Sequence, residues 1–528
     1  MKWVMSSRPR IAIAIFLVVA AMLLLLHANR VVATNDEGIL LDAAQRVAGG
    51  ERPYVDFWAY MSPGSYWLQA IVFRFFGISL LTARLLVIFD FALQCALVFW
   101  LTSKLASLRT AIAVTIAFLG FQMADPSFLT AQHRWDSSTL ALAGVAIAAS
   151  AASKRAWVAS GVVLAVAAWC TPTVGGVLIV VSLWLWFQRE RRRELLPLLS
   201  GAAIPFAAGG ALLIVQGGLI PFVQQMLWLR QNYLVNAMPY GSILGGYGAL
   251  FEDMNGVLDW VIRSLLVGCV ALPAVLPPLA LLGWGWLLWR KKVDPEQRPL
   301  IVLLLLAGTA LILALSPRPD VMHLAFVVAL PYILASAAFS KLIPVPARVP
   351  VGLFAVLMAA LFSLNSFTTL GKSSYLQTPV GNLRVENKQR PAMEKLFATV
   401  RPGDPLFVYP YMPMHYFLTQ ARNPTEFSFF SPGMATQREA LAALAELQHR
   451  PPEWILFMKI SRKEYLRVVP QGGSTEWRYA ELEDWLEQNY APVESTGPQD
   501  PKVVVAGYEL RRRSPSLLDT RAAVLPSP

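Results

Sequence analysis

Long apolar runs alternate with short polar connections from residue 11 to residue 367. A membrane-spanning helix needs about 20 mostly apolar residues. The pattern predicts eleven spans, near 11–33, 79–101, 110–124, 137–152, 156–170, 173–188, 197–216, 260–289, 299–316, 321–340 and 349–367. The fifth and sixth are short and separated only by Cys170-Thr171-Pro172-Thr173, so the number there is open by one or two. The first span is too long, and followed by too much membrane sequence, for a cleaved signal peptide. After residue 371 the pattern changes. Leu406–Tyr409, Trp454–Met458 and Val503–Leu510 read as strands rich in β-formers, and 438–448 and 479–489 carry helical periodicity. The chain therefore reads as a mainly α, polytopic membrane helix bundle over 1–371. A small α/β domain follows over 372–513, with a disordered Pro- and Ser-containing tail over 514–528.

Composition supports that division. Of 528 residues 56% are apolar and 15% charged, with a mean hydropathy of +0.50. Soluble domains usually carry roughly 25% charged residues. Residues 372–528 hold 19 of the 45 Lys+Arg and 17 of the 33 Asp+Glu, leaving 26 and 16 for the first 371. The basic excess thus sits in membrane loops, where it sets orientation rather than binding nucleic acid. Cys95, Cys170 and Cys269 all lie in apolar stretches, which argues against a disulfide framework or a zinc site.

With the N-terminus inside, 17 of those 26 basic residues face the inner side, among them Arg189, Arg191, Arg192, Arg193, Arg290, Lys291 and Lys292. Eleven of the 16 acidic residues face outward, and Asp90 lies within a span. An odd number of spans then places the C-terminal domain outside. Trp284, Trp286 and Trp289 fit an aromatic belt at the inner boundary.

Chemistry-bearing residues gather in the outer loops: Asp36, Glu37, Asp42, Glu51 and Asp56 in the first; Asp125, His133, Arg134 and Asp136 in the second; Arg318, Asp320 and His323 in the fourth. Ionisable groups at membrane depth are costly and are functional candidates by default. Thr34-Asn35-Asp36-Glu37 fits a capping box with Thr34 at the N-cap and Glu37 three residues on, leaving Asp36 as the free carboxylate. The following Ile39, Leu40, Ala43, Ala44, Val47 and Ala48 form one apolar stripe, predicting an amphipathic helix on the outer membrane surface that ends at Gly49-Gly50. Pro63 starts a second surface helix, which Gly77 closes. Asp56, among Tyr54, Phe57, Trp58 and Tyr60, needs a partner. His133-Arg134-Trp135-Asp136 reads either as a phosphate or sugar contact or as an interfacial anchor with a local ion pair. Arg318 and Asp320 read either as a phosphate site or as neighbouring surface charges.

Asp36-Glu37-Gly38, Gly49-Gly50-Glu51-Arg52-Pro53-Tyr54-Val55-Asp56, Ser62-Pro63-Gly64, Gly77 and Arg84 together resemble the N-terminal signature of C-type (GT-C) glycosyltransferases. The protein O-mannosyltransferase and aminoarabinose transferase branches are the most similar. The likeness covers about residues 10–150 and continues more weakly through 318–331. It departs from the aminoarabinose branch at Ser62, where that branch carries a lysine.

The resemblance implies a hexosyl- or pentosyltransferase of the cell envelope, in a bacterial inner membrane. It would move a sugar from a polyprenyl-phosphate donor to a lipid, glycan or protein acceptor on the outer face, with inversion. It implies Asp36 as the catalytic base and Asp136 as the second acid, orienting the acceptor or, with Asp36, holding a divalent metal ion. Glu37, Asp56, His133, Arg134, Arg318 and His323 are the candidate substrate contacts, with Arg318 first for the phosphate. Two rival readings stay open: a flippase for lipid-linked glycans, and a non-catalytic assembly protein. The first would need polar groups along the spans on both sides of the midplane, where Asp90 stands nearly alone.

Overall fold

The computed structural model describes residues 2–514 apart from 32–34, 124–128, 244–255, 345, 347, 350–351, 354–355, 358–359, 361–370, 432, 469–476 and 495–501. The tail from 515 lies outside the described residues, as does most of the expected span at 349–367. The bundle is built from α1 (Lys2–Leu26), α2 (Asn35–Ala48), α3 (Pro63–Phe76), α4 (Leu80–Leu105), α5 (Leu108–Gln122), α6 (His133–Ala148), α7 (Lys154–Cys170), α8 (Gly176–Phe187), α9 (Leu195–Val215), α10 (Leu219–Asn232), α11 (Val257–Val270), α12 (Leu272–Trp289), α13 (Arg298–Leu313), α14 (Val321–Val327) and α15 (Ala329–Leu342).

Among the described residues, the segments 8–26, 80–105, 189–215 and 272–289 are long and apolar enough to cross a membrane. Leu108–Gln122, Pro172–Phe187 and Arg298–Leu313 are shorter apolar helices. Two expected spans differ from the pattern. The run 260–289 breaks into α11 and α12, where Pro273, Pro277 and Pro278 follow; proline removes a backbone donor and interrupts the helical ladder. The run 321–340 bends by 78° between α14 and α15. Serines begin several helices as expected of N-caps: Ser79 accepts from Thr82 N, Ser107 from Thr110 N and Ser153 from Ala156 N.

One apolar core runs through α4, α5, α6, α13 and α15 around Phe91, Phe118, Trp135 and Phe326. Trp284 belongs to it rather than to a boundary belt: it is fully buried and its indole N–H donates to the Leu334 carbonyl at 2.9 Å. Arg290 stands over the Trp286 and Trp289 rings, 5.7 and 5.1 Å from their centres.

Beyond the bundle come a hairpin of β1 (Ser373–Thr378) and β2 (Gly381–Glu386) and helix α16 (Arg390–Thr399). Then follow β3 (Leu406–Tyr409), α17 (Met414–Thr419), α18 (Gln437–His449), β4 (Trp454–Phe457), α19 (Arg462–Val468), α20 (Ala480–Asn489), β5 (Tyr490–Pro492), β6 (Val504–Val505) and β7 (Tyr508–Arg513). The strands form a sheet in the order β3-β4-β7-β5, parallel between β3 and β4 and otherwise antiparallel, with β6 also on β7.

This unit is not tethered loosely. Arg384 of β2 pairs by its backbone with Asn29 and Val31 at the end of the first span, and Leu80 N donates to Val380 O. The apolar stripe of α2, expected on the membrane surface, is buried instead against α17: Ile39, Leu40, Ala43 and Ala44 share one core with Met414, Phe417 and Tyr508. The approach is so close that a Cβ on Gly38 would stand 2.1 Å from Met414 N, which explains glycine after Asp36-Glu37. The stripe is thus covered by protein, the C-terminal domain supplying its apolar partner.

Candidate active site

Four segments expected in outer loops or at helix starts meet beside the C-terminal domain. The start of α2 brings Asp36 and Glu37, and these neighbours have opposite surroundings. Glu37 is fully buried. Its carboxylate accepts from Arg84 Nε at 2.5 Å and Arg84 NH2 at 2.8 Å, a bidentate pair, and from Ala131 N at 2.9 Å. Arg84 NH1 also donates to Leu129 O at 3.2 Å. The expected partner of Glu37, the Thr34 N-cap, lies outside the described residues. Glu37 instead ties α2 to α4 and to residues 129–131, a long-range role that local spacing could not reveal. Asp36 keeps 44% of its side chain exposed and is approached by Arg134 NH1 at a loose 3.4 Å.

Arg134 begins α6 beside His133, whose Nδ1 lies 3.4 Å from Thr171 Oγ1. Both residues lie close enough to His323 for their charges to act on one another. His323 belongs to the last piece of the site. Asp320 is the N-cap of α14: it accepts from His323 N at 2.9 Å, its Oδ1 lies 2.8 Å from His323 Nδ1, and its Oδ2 accepts from Arg318 Nε at 2.8 Å. Burial opposes the charge on Asp320, but hydrogen bonds from His323 and Arg318 outweigh it and hold the carboxyl down at about 2. Arg318 NH1 further reaches Asn236 Oδ1 at 3.5 Å. Arg318 and Asp320 are therefore a nearly buried ion pair, not loose surface charges. The side chains form a row from Asp36 through Arg134 and His323 to Asp320 and Arg318, with Arg134 between the two acids and Arg318 at the far end.

Two predicted residues stand apart from that row. Asp56 forms an ion pair with Arg52 four residues earlier, at 2.8 Å, and also accepts from Arg52 N at 2.7 Å. Those hydrogen bonds from Arg52 hold its carboxyl below the usual range. This partner is local and exposed, so Asp56 shapes the turn after α2. Asp136 is buried beside Asp90 of α4 and Ser65 of α3. Asp36 and Asp136 are thus engaged by different partners. Among the described residues no group of three or more His, Cys, Asp or Glu is placed to hold a metal ion. Asp36 lies beside a guanidinium, and Asp136 beside a second buried acid, Asp90.

Sequence reasoning left Arg84 and Asn236 without roles. Arg84 is one basic residue early in an apolar run, a signal that it must find a buried acid. Asn236 carries no such signal; only the fold brings its amide to Arg318.

No protein-family model matches the chain, and no curated protein matches it in sequence. The fold, however, has solved counterparts. Two solved structures carry the likeness. The chain is similar to ArnT from Cupriavidus metallidurans bound to undecaprenyl phosphate, with a TM-score of 0.52 and 13% identity over 96% of this chain and 98% of that one. It is also similar to the Archaeoglobus fulgidus oligosaccharyltransferase in complex with zinc and sulfate, with a TM-score of 0.50 and 11% identity over 94% and 72%.

Proposed function

We propose that this protein is a membrane glycosyltransferase that moves a sugar, hexose or pentose, from a polyprenyl-phosphate carrier to an acceptor hydroxyl, with inversion. The row from Asp36 to Arg318 on a GT-C fold is the observation that carries the reading. Asp36 is the exposed carboxylate of the row and acts as general base. The acceptor oxygen attacks the anomeric carbon, its proton passes to Asp36, and the bond from that carbon to the phosphate oxygen breaks with its electron pair staying on the phosphate. A phosphate is already a good leaving group and needs cations more than a general acid. Arg318, pre-oriented by Asp320 and Asn236, and Arg134 supply them, with His133 and His323 lining the passage between. Glu37 sets the base in place through Arg84, and Asp136 supports α6 from the bundle interior.

Two further features belong to the same reading. The positive-inside charge pattern supports an N-terminus in the cytoplasm and a site on the extracytoplasmic side of a bacterial inner membrane. The C-terminal domain covers the site and is the acceptor-facing wall. The test is donor turnover by the purified full chain in lipid nanodiscs, using radiolabelled polyprenyl-phosphate sugars with cell-envelope extract as acceptor. Release of free polyprenyl phosphate coupled to labelled acceptor is expected. Movement of intact donor across a vesicle membrane, with no bond broken, would replace this reading with a flippase.

A further inference from the structure

At the end of the bundle opposite the site, α8 and α13 enclose a cleft of about 710 Å³. Its deep wall is apolar, formed by Leu183, Val302 and Leu306 on helix surfaces that the protein leaves exposed. Trp184 makes the floor: it is 5% exposed, and its indole N–H donates to Pro299 O at 3.1 Å, fastening α8 to α13. The mouth carries Arg189, Arg191 and Arg298 against the single acid Glu190. Arg191 stands over the Trp184 ring, 5.8 Å from its centre. Among the described residues none of these three arginines has an ion-pair partner, whereas the adjacent Arg193 pairs with Glu194. The N-terminus of α13 opens on the same mouth and adds its positive end.

We infer that this cleft binds an anionic phospholipid, with its phosphate held by Arg189, Arg191 and Arg298 and an acyl chain along Leu183, Val302 and Leu306. The charge complementarity selects the occupant. A protein segment would need to cover the apolar wall from within the bilayer. A zwitterionic lipid would bring a cation to a mouth already carrying three. Guanidinium groups match phosphate oxygens in paired hydrogen bonds, and basic pockets between spanning helices are suited to anionic head groups. The site is independent of the transferase reading; the charge pattern assigns it to the inner leaflet.

The experiment is a native mass-spectrometry titration of the delipidated full chain with phosphatidylglycerol, with phosphatidylcholine of the same chains, and with inorganic phosphate. Phosphatidylglycerol is expected to bind most tightly. Arg189→Gln/Arg191→Gln/Arg298→Gln should weaken it about fivefold per arginine, on the order of a hundredfold in all. Arg290→Gln/Lys292→Gln, at the same boundary but outside the cleft, should leave it within a factor of two or so. Leu306→Trp fills the acyl wall without touching the charges and should weaken the lipid while leaving its head-group preference. The inference is overturned if the triple variant keeps the preference, if the control loses as much, if inorganic phosphate binds as well as the lipid, or if Leu306→Trp changes nothing.

Discussion

Asp36 and Glu37 are adjacent carboxylates on one turn of α2, yet they serve two different regions. Glu37 points into the base of the site and is closed off by Arg84 and Ala131 N. Asp36 points into the mouth, half exposed, beside an arginine at 3.4 Å. A buried ion pair must be fully matched, since each unpaired charge is costly there. A reacting carboxylate must instead keep a lone pair open to substrate. The contrast separates a residue that builds the site from one free to do chemistry in it.

The largest effect is expected at the mouth. Asp36→Asn keeps shape and removes the base, so turnover should fall by about 10²–10⁴-fold with the melting temperature in detergent unchanged. Full turnover in that variant would remove Asp36 from the mechanism. At the base, Glu37→Gln leaves the Arg84 guanidinium buried against a neutral amide. Loss of one partner of a buried pair costs about 3–5 kcal/mol, to be read as a clear drop in melting temperature. A variant that melts like the parent but has lost turnover would reverse the two roles.

Arg318→Ala carries the comparison to the far end of the row. On the proposed function it removes a charge-assisted contact to the donor phosphate, about 1.5–3 kcal/mol or tenfold to a hundredfold in donor use. It also frees Asp320 and His323, so a matched loss in Arg318→Lys would show that the planar fork, not the charge alone, is required.

The smallest effect concerns the seam between α2 and the outer domain. Asp42 is buried there with Gln45 Nε2 donating at 3.1 Å, and Arg46, Glu51, Tyr66 and Tyr416 surround it. Burial raises its carboxyl from 3.8 to about 6, more than the hydrogen bond and Arg46 pull it down. A raised acid binds its proton more tightly in the folded state, so its contribution is full below the unfolded value and is lost as pH rises through about 6. Stability should therefore decline between about pH 4 and pH 6 by on the order of 2 kcal/mol. Asp42→Asn should flatten that part of the pH–melting curve; an unchanged slope would mean that another group sets it.

Much of this was legible in the chain because it is local. Apolar periodicity locates the helices, serines mark where several begin, and Leu406–Tyr409 forms a strand over the residues expected of it. The acid after the first span is likewise readable from its place at a helix start. Partners across the chain were not legible. Glu37 is held by a residue 47 positions on, and its cap partner Thr34 lies outside the described residues. Asp56, expected to need a partner, has Arg52 four residues before it. Asp136 lies beside Asp90, an acid visible in the sequence with no hint of its companion. The stripe of α2 was correctly read as apolar, but what would cover it was not.

The sequence by itself determined the division into a membrane part and a polar part, the charge asymmetry of the loops, and which few ionisable groups stand near the apolar spans. These follow from transfer free energies, which are additive along a chain. Only the tertiary structure decided which charges pair. Pairing depends on distance and on local exclusion of water, and both arise when α2, α4, α6 and α14 are brought under the C-terminal domain. Consecutive carboxylates with nearly the same local sequence context thus become a buried brace and an open carboxylate, according to which way each side chain leaves the helix.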